Sequence, residues 1–583
     1  MAKRGGNDRY LFLLGLCLAV LAGMVLLLAA DMPGTKNEKT AEPIAARPWA
    51  ATLPPTPAPT VQPTFTAAPE ATAEPTPAPT PTLMLEASCT QQSDPDRATL
   101  GYSYQVQAQG QMVSDYLRAA PIAMGLPEQY TQIAGVLTFR GNHFRDAPAY
   151  GTAQIASETL KKGWSLGIGG IDKWTGVGWN GQPAIVKWPR ETIQVMNIYE
   201  EKKQKDDLVE VIYAAMDGKI YFLDLQDGSF TRDPIDIGFP IKGSVCVDPR
   251  GYPLLYCGQG IGENGGVTGG MGYRVFSLID SSVLLFINGT DSFNLRYWRA
   301  FDSVPLVDGA SDTLILCGEN GILYTVVLNS VFDPQAGTVS IDPEIVRYRY
   351  QANHTVQLGI ENSPAVYHHY AYFADNSGTV QCVDLNTMSP VWVDVNQDDS
   401  DAGVVLDVMP DGSVSLYTGC EVDKQGNLGQ SVLRRYDAMN GTVLWEHRYA
   451  CYFNEYINGG LLATPVSGKN ELEQMVFFWI ARTQVSGGAG TLLAVDKQSG
   501  AIVWEKQMQT FGWSSPVPLY TPEGKGYLIV CDAAGRVYLI RGTDGEILDQ
   551  ISLGANIEGS PAAFGNTLVV GTRGQQIWSF TVQ

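Results

Sequence analysis

The sequence predicts an all-β fold, an eight-bladed β-propeller of four-stranded antiparallel blades, preceded by one transmembrane helix and a Pro/Thr-rich stalk. Three features predict it: an apolar run near the N-terminus, a proline-rich stretch behind it, and one strand-turn-strand unit rewritten to the C-terminus. With 45% hydrophobic and only 17% charged residues, most of the chain can bury a core. A net charge of −21 excludes nucleic acid as a partner, because phosphate contacts need a surplus of Lys and Arg, and it disfavours anionic lipid headgroups.

Tyr10 to Ala30 is an uninterrupted apolar run of 21 residues, long enough as a helix to span a hydrocarbon core about 30 Å thick. Lys3, Arg4 and Arg9 precede it. The positive-inside rule then makes 1–9 a cytoplasmic N-terminus, 10–30 a signal anchor, and everything after Asp31 extracytoplasmic, a single-pass protein of the cell membrane. Cys17 follows Leu16 where a lipoprotein site needs a small residue, so lipidation is not expected; cleavage after Ala30 is the alternative. Residues 31–88 form the linker, with Pro recurring beside Thr and Ala from Glu42 to Thr82 in phrases such as PPTPAPT. Such a stretch prefers polyproline II and holds the C-terminal part of the chain at a distance on the order of 100 Å from the membrane. A leader, 89–134, then precedes the propeller, 135–583.

The clearest copies of the repeat are LLAVDKQSGAIVWEK (Leu492 to Lys506) and LRRYDAMNGTVLWEH (Leu433 to His447). An Asp ending one strand can accept backbone N–H bonds from the turn, and Gly tolerates the positive φ that the turn needs. Asp224, Asp384, Asp437 and Asp496 are therefore structural, and Trp445 and Trp504 are placed to pack between neighbouring sheets. A second element, a small-residue turn leading into an apolar strand, opens at 181, 243, 303, 363, 403, 463, 514 and 559. Eight openings predict eight blades.

These residues resemble the pyrroloquinoline-quinone-like (PQQ-like) propeller repeat, matched best by AVDKQSGAIVW and YDAMNGTVLW, over Gly135 to Gln583. TFRGNHFRDAPAYG (Thr138 to Gly151) and the following LKKGWSLGIG look like the leader of such proteins, in which an early strand completes the last blade. No WD dipeptide supports the WD40 alternative. The resemblance implies two functional classes. Quinoprotein dehydrogenases hold PQQ on the axis between an aromatic floor and, often, an adjacent-cysteine disulfide, with Asn, Asp and Glu on Ca²⁺; envelope assembly factors only bind partners. This chain has neither a Cys-Cys pair nor a CxxCH haem motif. The expectation is a monomeric binding or scaffold propeller at the cell envelope, without cofactor, whose partner is an envelope protein or a glycan. A dehydrogenase using PQQ and calcium is the alternative, and a glycan-binding propeller the second alternative.

If the openings are innermost strands, the residues just before them crowd one end of the axis. That ring comprises Trp179, Asn180, Lys242, Trp298, Asp302, Glu361, Asn362, Asp401, Asn458, Trp513 and Glu558. Indoles beside carboxylates can stack a flat or sugar-like ligand or hold a hard cation; alternatively, the Trp residues plug the axial hole. Elsewhere, Gly258 to Gly272 lacks GKS/T and reads as a mobile loop, His368 and His369 point to opposite faces of a strand, and Asn396 to Asp401 (NQDDSD) reads as a solvated acidic loop, with attraction of Ca²⁺ as the alternative. Cys317, Cys382 and Cys531 read as small buried hydrophobes, while Cys246 and Cys257 flank a hairpin turn and can face each other as a disulfide. No metal-ligand spacing and no nucleophile signature occurs.

Overall fold

In a computed structural model that describes residues 85–583 apart from Asn180 and 356–358, every opening becomes the innermost strand of a blade. These strands are Ala184–Lys187, Val245–Val247, Leu306–Asp308, Ala365–Tyr367, Val405–Val408, Val466–Ser467, Val517–Tyr520 and Ala562–Phe564, in blades 1 to 8. Each starts an antiparallel meander of four strands. Blade 8 draws only three from the C-terminal end of the chain; its outermost strand is Leu160–Gly167, paired with Gln576–Val582. The early strand thus closes the ring and leaves no open seam between first and last blades.

The repeat turns work as their residues dictate. Asp437 Oδ1 accepts from Met439 N at 2.9 Å and Asp496 Oδ1 from Ser499 N at 2.7 Å, so each carboxylate caps its own turn. The glycine that follows stands at φ +73 in Gly441 and +74 in Gly500. Onto these turns lean the indoles of the preceding blade. Trp164, Trp392, Trp445 and Trp504 donate from Nε1 to the carbonyls of Leu225, Ala438, Lys497 and Gly542 at 2.9, 2.7, 2.9 and 3.0 Å. At these four junctions one indole both fills the space between sheets and satisfies a carbonyl.

Small hydroxyl residues in the openings latch the inner strands to each other. Gln182 N donates to Ser244 Oγ (2.7 Å), Val304 N to Ser363 Oγ (3.0 Å), Gly403 N to Thr464 Oγ1 (3.0 Å), Thr464 N to Ser515 Oγ (3.0 Å) and Ser515 N to Ser560 Oγ (2.9 Å). Ser560 N then reaches Gly181 O at 2.9 Å, tying blade 8 to blade 1.

Of the leader, Ser103–Ala108 adds as a strand to the outer edge of blade 3, and residues around Ser93 lie along the edge of blade 4, where Val393 N bonds Ser93 O at 2.9 Å.

Two expectations are corrected, and one alternative left open, the Cys246–Cys257 disulfide, is excluded. The membrane anchor is not borne out: among the described residues no helix is long and apolar enough to cross a membrane, the two α-helices being Arg190–Val195 and Glu200–Lys203. The single-pass placement with a cytoplasmic N-terminus falls with it; the run 10–30 and the stalk up to residue 84 lie outside the described residues. Cys246 and Cys257 are free, because the register sets Cys257 opposite Val245 and Cys246 opposite Tyr256, sending the two thiols into different core clusters. His368 and His369 occupy the turn between Ala365–Tyr367 and Tyr370–Ala374, with His368 at φ +53, instead of a strand interior.

Candidate functional site

The axial channel of the propeller is filled by its own leader. Residues 135–149 touch the inner strand of every blade in turn: Gly135 pairs with Val186, Leu137 O accepts from Val247 N (2.7 Å) and Thr138 Oγ1 donates to Pro305 O (2.8 Å). His143 O accepts from Val366 N (2.8 Å), Phe144 O from Leu406 N (3.0 Å) and Pro148 O from Ala563 N (3.1 Å). Arg140 reaches the remaining two blades, donating to Pro516 O at 2.5 Å and Pro465 O at 3.3 Å. Arg145 donates to Pro364 O, Phe139 O and Val304 O at 2.8, 2.8 and 2.7 Å. The innermost strands are sheet edges turned to the channel, so carbonyls at their entries have no sheet partner, and the two fully buried guanidiniums satisfy several of them. Burial pulls the pKa of Arg140 down to about 9 and that of Arg145 to about 10.

At one end of the channel, here the upper end, lie two sets of loops: those entering each blade and those joining its second and third strands. Together they build a carboxylate-rich bowl. Lys242, entering blade 2, forms ion pairs with Asp302 and, at 3.5 Å, with Glu361. Burial disfavours its charge, but Asp302 and Glu361 outweigh that and raise its pKa well above the usual range. Glu319, 2% exposed on the inner loop of blade 3, sits in the same group; its Oε1 is buried without a hydrogen-bond partner. Burial, then Glu361 and Asp302, push its carboxyl well above the ordinary range.

Asn376 joins this group to a second one, with Nδ2 3.1 Å from Glu361 Oε2 and 3.1 Å from Asp399 Oδ1 while Oδ1 accepts from Arg296. Lys424 Nζ lies 2.8 Å from Asp399 Oδ2, and Asn458 Nδ2 lies 2.9 Å from both oxygens of Glu421. Burial followed by neighbouring carboxylates raises the pKa of Asp401 and Glu421 well above normal. Asp423 is pushed up to about 7 by burial and by the hydrogen bond it shares with Asp398. Asp398 goes the other way: its own burial is outweighed by hydrogen bonds from Asp423 and from the backbone N–H groups of 399, 425 and 423. Carboxylate oxygens of Asp302, Glu319 and Glu361 lie within 4.8 Å of one another, as do those of Asp399, Glu421 and Asp423. Either triad has the oxygen donors a hard cation or an ammonium group needs.

Of the residues expected in the ring, Lys242, Asp302, Glu361, Asp401 and Asn458 are gathered into this bowl. Glu558 stands at its rim, held by Asn556 Nδ2 (2.8 Å) and Arg573 Nη1 (3.4 Å), with its pKa raised by burial. Asn362 is buried and donates to Ala402 O, stitching two openings together. Trp179 is partly buried and spans from blade 1 to the entry of blade 6, its Nε1 3.3 Å from Leu462 O. Trp513 packs against Phe511 with ring centroids 6.0 Å apart. Trp298 is instead 43% exposed on the loop leading to blade 3, and Asn180 lies outside the described residues.

Sequence reasoning missed Glu319, Asn376, Glu421 and Lys424, which come from the second set of loops, and placed Asp399 in a solvated acidic loop. Their signal was a polar turn after a strand ending in Gly or Ala, as in CGEN, ADNSG and GCEVDK. The NQDDSD segment is also not solvated: Asp398, Asp399 and Asp401 are buried in the wall of the bowl. Gly258 to Gly272 contains a small ribbon, Glu263–Asn264 paired with Val267–Thr268.

The family model described as outer membrane protein assembly factor BamB matches residues 488–583. No curated protein matches the chain in sequence. Among solved structures, the quinohemoprotein alcohol dehydrogenase ADHIIG of Pseudomonas putida HK5 is similar with a TM-score of 0.50 at 12% identity, over 77% of this chain and 80% of that one. The quinohemoprotein alcohol dehydrogenase of Comamonas testosteroni gives 0.50 at 11% identity over the same shares. BamB of Moraxella catarrhalis gives 0.44 at 14% identity, over 72% of this chain and 99% of that one. At these identities the likeness is one of fold.

Proposed function

We propose, from the premise that the chain is a β-propeller of the PQQ-like family, that it is a binding module whose upper bowl takes cationic groups of a partner. One observation carries the reading: Glu319 keeps a buried carboxyl oxygen without a hydrogen-bond partner, beside Asp302 and Glu361, in a bowl where carboxylates outnumber cations. A buried acceptor in that state costs about 1–3 kcal/mol, which an incoming donor relieves.

The quinone reading is supported less well by the same donor set. PQQ is a tricarboxylate and calls for cations to receive it. In the bowl Lys242 is ion-paired with Asp302, Lys424 with Asp399 and Arg573 with Glu558. Asp399, Glu421 and Asp423 suit a calcium ion, but of the cations around them Lys424 is held by Asp399, which leaves Arg296, bonded to Asn376, to meet a tricarboxylate. The leader that fills the channel supports a scaffold role as well, since it fixes all eight blades in one rigid frame.

The test is calorimetric titration of the full chain with pentalysine. Saturable binding that falls at least tenfold in Glu319→Gln and Glu361→Gln, with neither variant melting below the natural chain, supports the reading. Binding unchanged in both variants, or none at millimolar peptide, overturns it.

A further inference from the structure

A propeller has one exposed sheet edge per blade, and seven of these edges are guarded by charge, shortness or cover. The leader strand Ser103–Ala108 covers blade 3, pairing in register from Ser103 with Gln351 to Ala108 with Val346. Blade 4 is covered near Ser93, and Arg97 Nη1 also reaches Val393 O at 2.8 Å. Blade 1 ends in two residues, Ile235–Asp236. The outer strands of blades 5 to 8 carry charge: Glu446 and Arg448, Glu505 and Lys506, Asp549, and Lys161 and Lys162.

Blade 2 breaks the pattern. Its outer strand, Val283–Asn288, reads VLLFIN; it holds no charge, and its one sheet neighbour is Gly272–Ser277. Val283 is 50% exposed and Phe286 41%, and the loop that follows exposes Tyr297 at 84%. In a chain of net charge −21, the cations beside this strand are also unusual. Arg274 lies over the Phe286 ring at 4.8 Å and Arg299 over Tyr297 at 4.9 Å. Arg274 hydrogen-bonds Gln259 at 2.8 Å, and among the described residues neither guanidinium pairs with a carboxylate.

We infer that the outer strand of blade 2 is a docking edge for an extended segment of a partner protein, added as a fifth strand, with apolar residues alternating with acidic ones. The backbone ladder supplies affinity, the partner's apolar side chains cover Val283 and Phe286, and its carboxylates meet Arg274 and Arg299. The molecule already uses this mode one blade away, where its own Ser103–Ala108 adds to blade 3. The edge is separate from the axial bowl, so either assignment can fail alone.

The experiment is fluorescence anisotropy of the full chain with a capped ten-residue peptide alternating valine and glutamate, and with its lysine-for-glutamate counterpart. The acidic peptide binds at least tenfold more tightly than the basic one. Val283→Pro and Phe286→Lys each weaken it at least tenfold, Arg274→Gln narrows the gap between the peptides, and Ile502→Lys on blade 6 changes nothing. Thermal melts verify that these substitutions leave the fold intact. Equal binding of the two peptides, absence of binding at millimolar peptide, or indifference to the blade 2 substitutions overturns the assignment. So does sedimentation showing a dimer that Phe286→Lys dissociates, because the edge then serves a second copy of the chain.

Discussion

Trp445 of blade 5 and Gly500 of blade 6 are fitted to each other: the indole donates from Nε1 to Lys497 O at 2.9 Å, and its ring leaves no room for a side chain at 500. A Cβ there would lie 2.7 Å from Trp445 Cγ, on a residue already at φ +74.

Gly500→Ala therefore combines left-handed strain with a clash and costs about 2–4 kcal/mol. Gly554→Ala meets the same strain, at φ +88, with nothing within 4 Å, and costs about 1 kcal/mol. Denaturant melts of the two variants separate the terms. Equal losses would contradict indole docking as the junction device.

Arg145 is the strongest single tie in the axial plug. Arg145→Ala leaves the carbonyls of Pro364, Phe139 and Val304 unsatisfied and costs more than about 3 kcal/mol. Arg145→Lys recovers only part, because an ammonium cannot reach three carbonyls in a planar fork. Full rescue by lysine, measured by melting, contradicts the geometry.

Stability responds to pH through the bowl. Glu319 and Asp423 have folded pKa values above their unfolded ones, near 4, so the folded state holds their protons more tightly. The penalty is absent below about pH 4, grows as pH rises through the window, which for Asp423 ends at about 7, and is constant above each folded value. Glu319→Gln should thus match the natural chain near pH 4 and exceed its stability at pH 8 by on the order of 1–3 kcal/mol. A difference independent of pH contradicts the assignment.

The three indoles of the ring have different roles. Trp298→Ala, at an exposed site, changes stability by less than about 0.5 kcal/mol, whereas Trp179→Ala, spanning to Leu462, costs about 2–3 kcal/mol. A large loss in all three single variants, Trp513→Ala included, assigns the indoles to the core and removes them from any binding surface.

The blades were legible because their signals are local. The Asp-x-x-x-Gly turn, the Trp after it and the Ser or Thr in six of the eight openings recur with the strands, and the bonds they make stay within one blade or reach the next. The axial plug was not legible in this way: Arg140 and Arg145 lie five residues apart in sequence, yet bond residues from 304 to 516. The bowl was half legible, since one set of its loops precedes the recognisable openings. Glu319 and Glu421 sit in turns of differing length, and only closure of the ring brings them beside Asp302 and Asp399. The pairing of Cys246 with Cys257, which the sequence left open, is excluded by a one-residue offset that spacing alone does not fix.

Whether the upper bowl serves binding or redox chemistry is tested most directly by adding PQQ and Ca²⁺ to the full chain and following both binding heat and dye reduction with an alcohol or an aldose. A binding propeller gives no stoichiometric PQQ complex and no substrate-dependent dye reduction, while pentalysine still binds. Tight one-to-one PQQ binding with dye reduction that depends on substrate would contradict it.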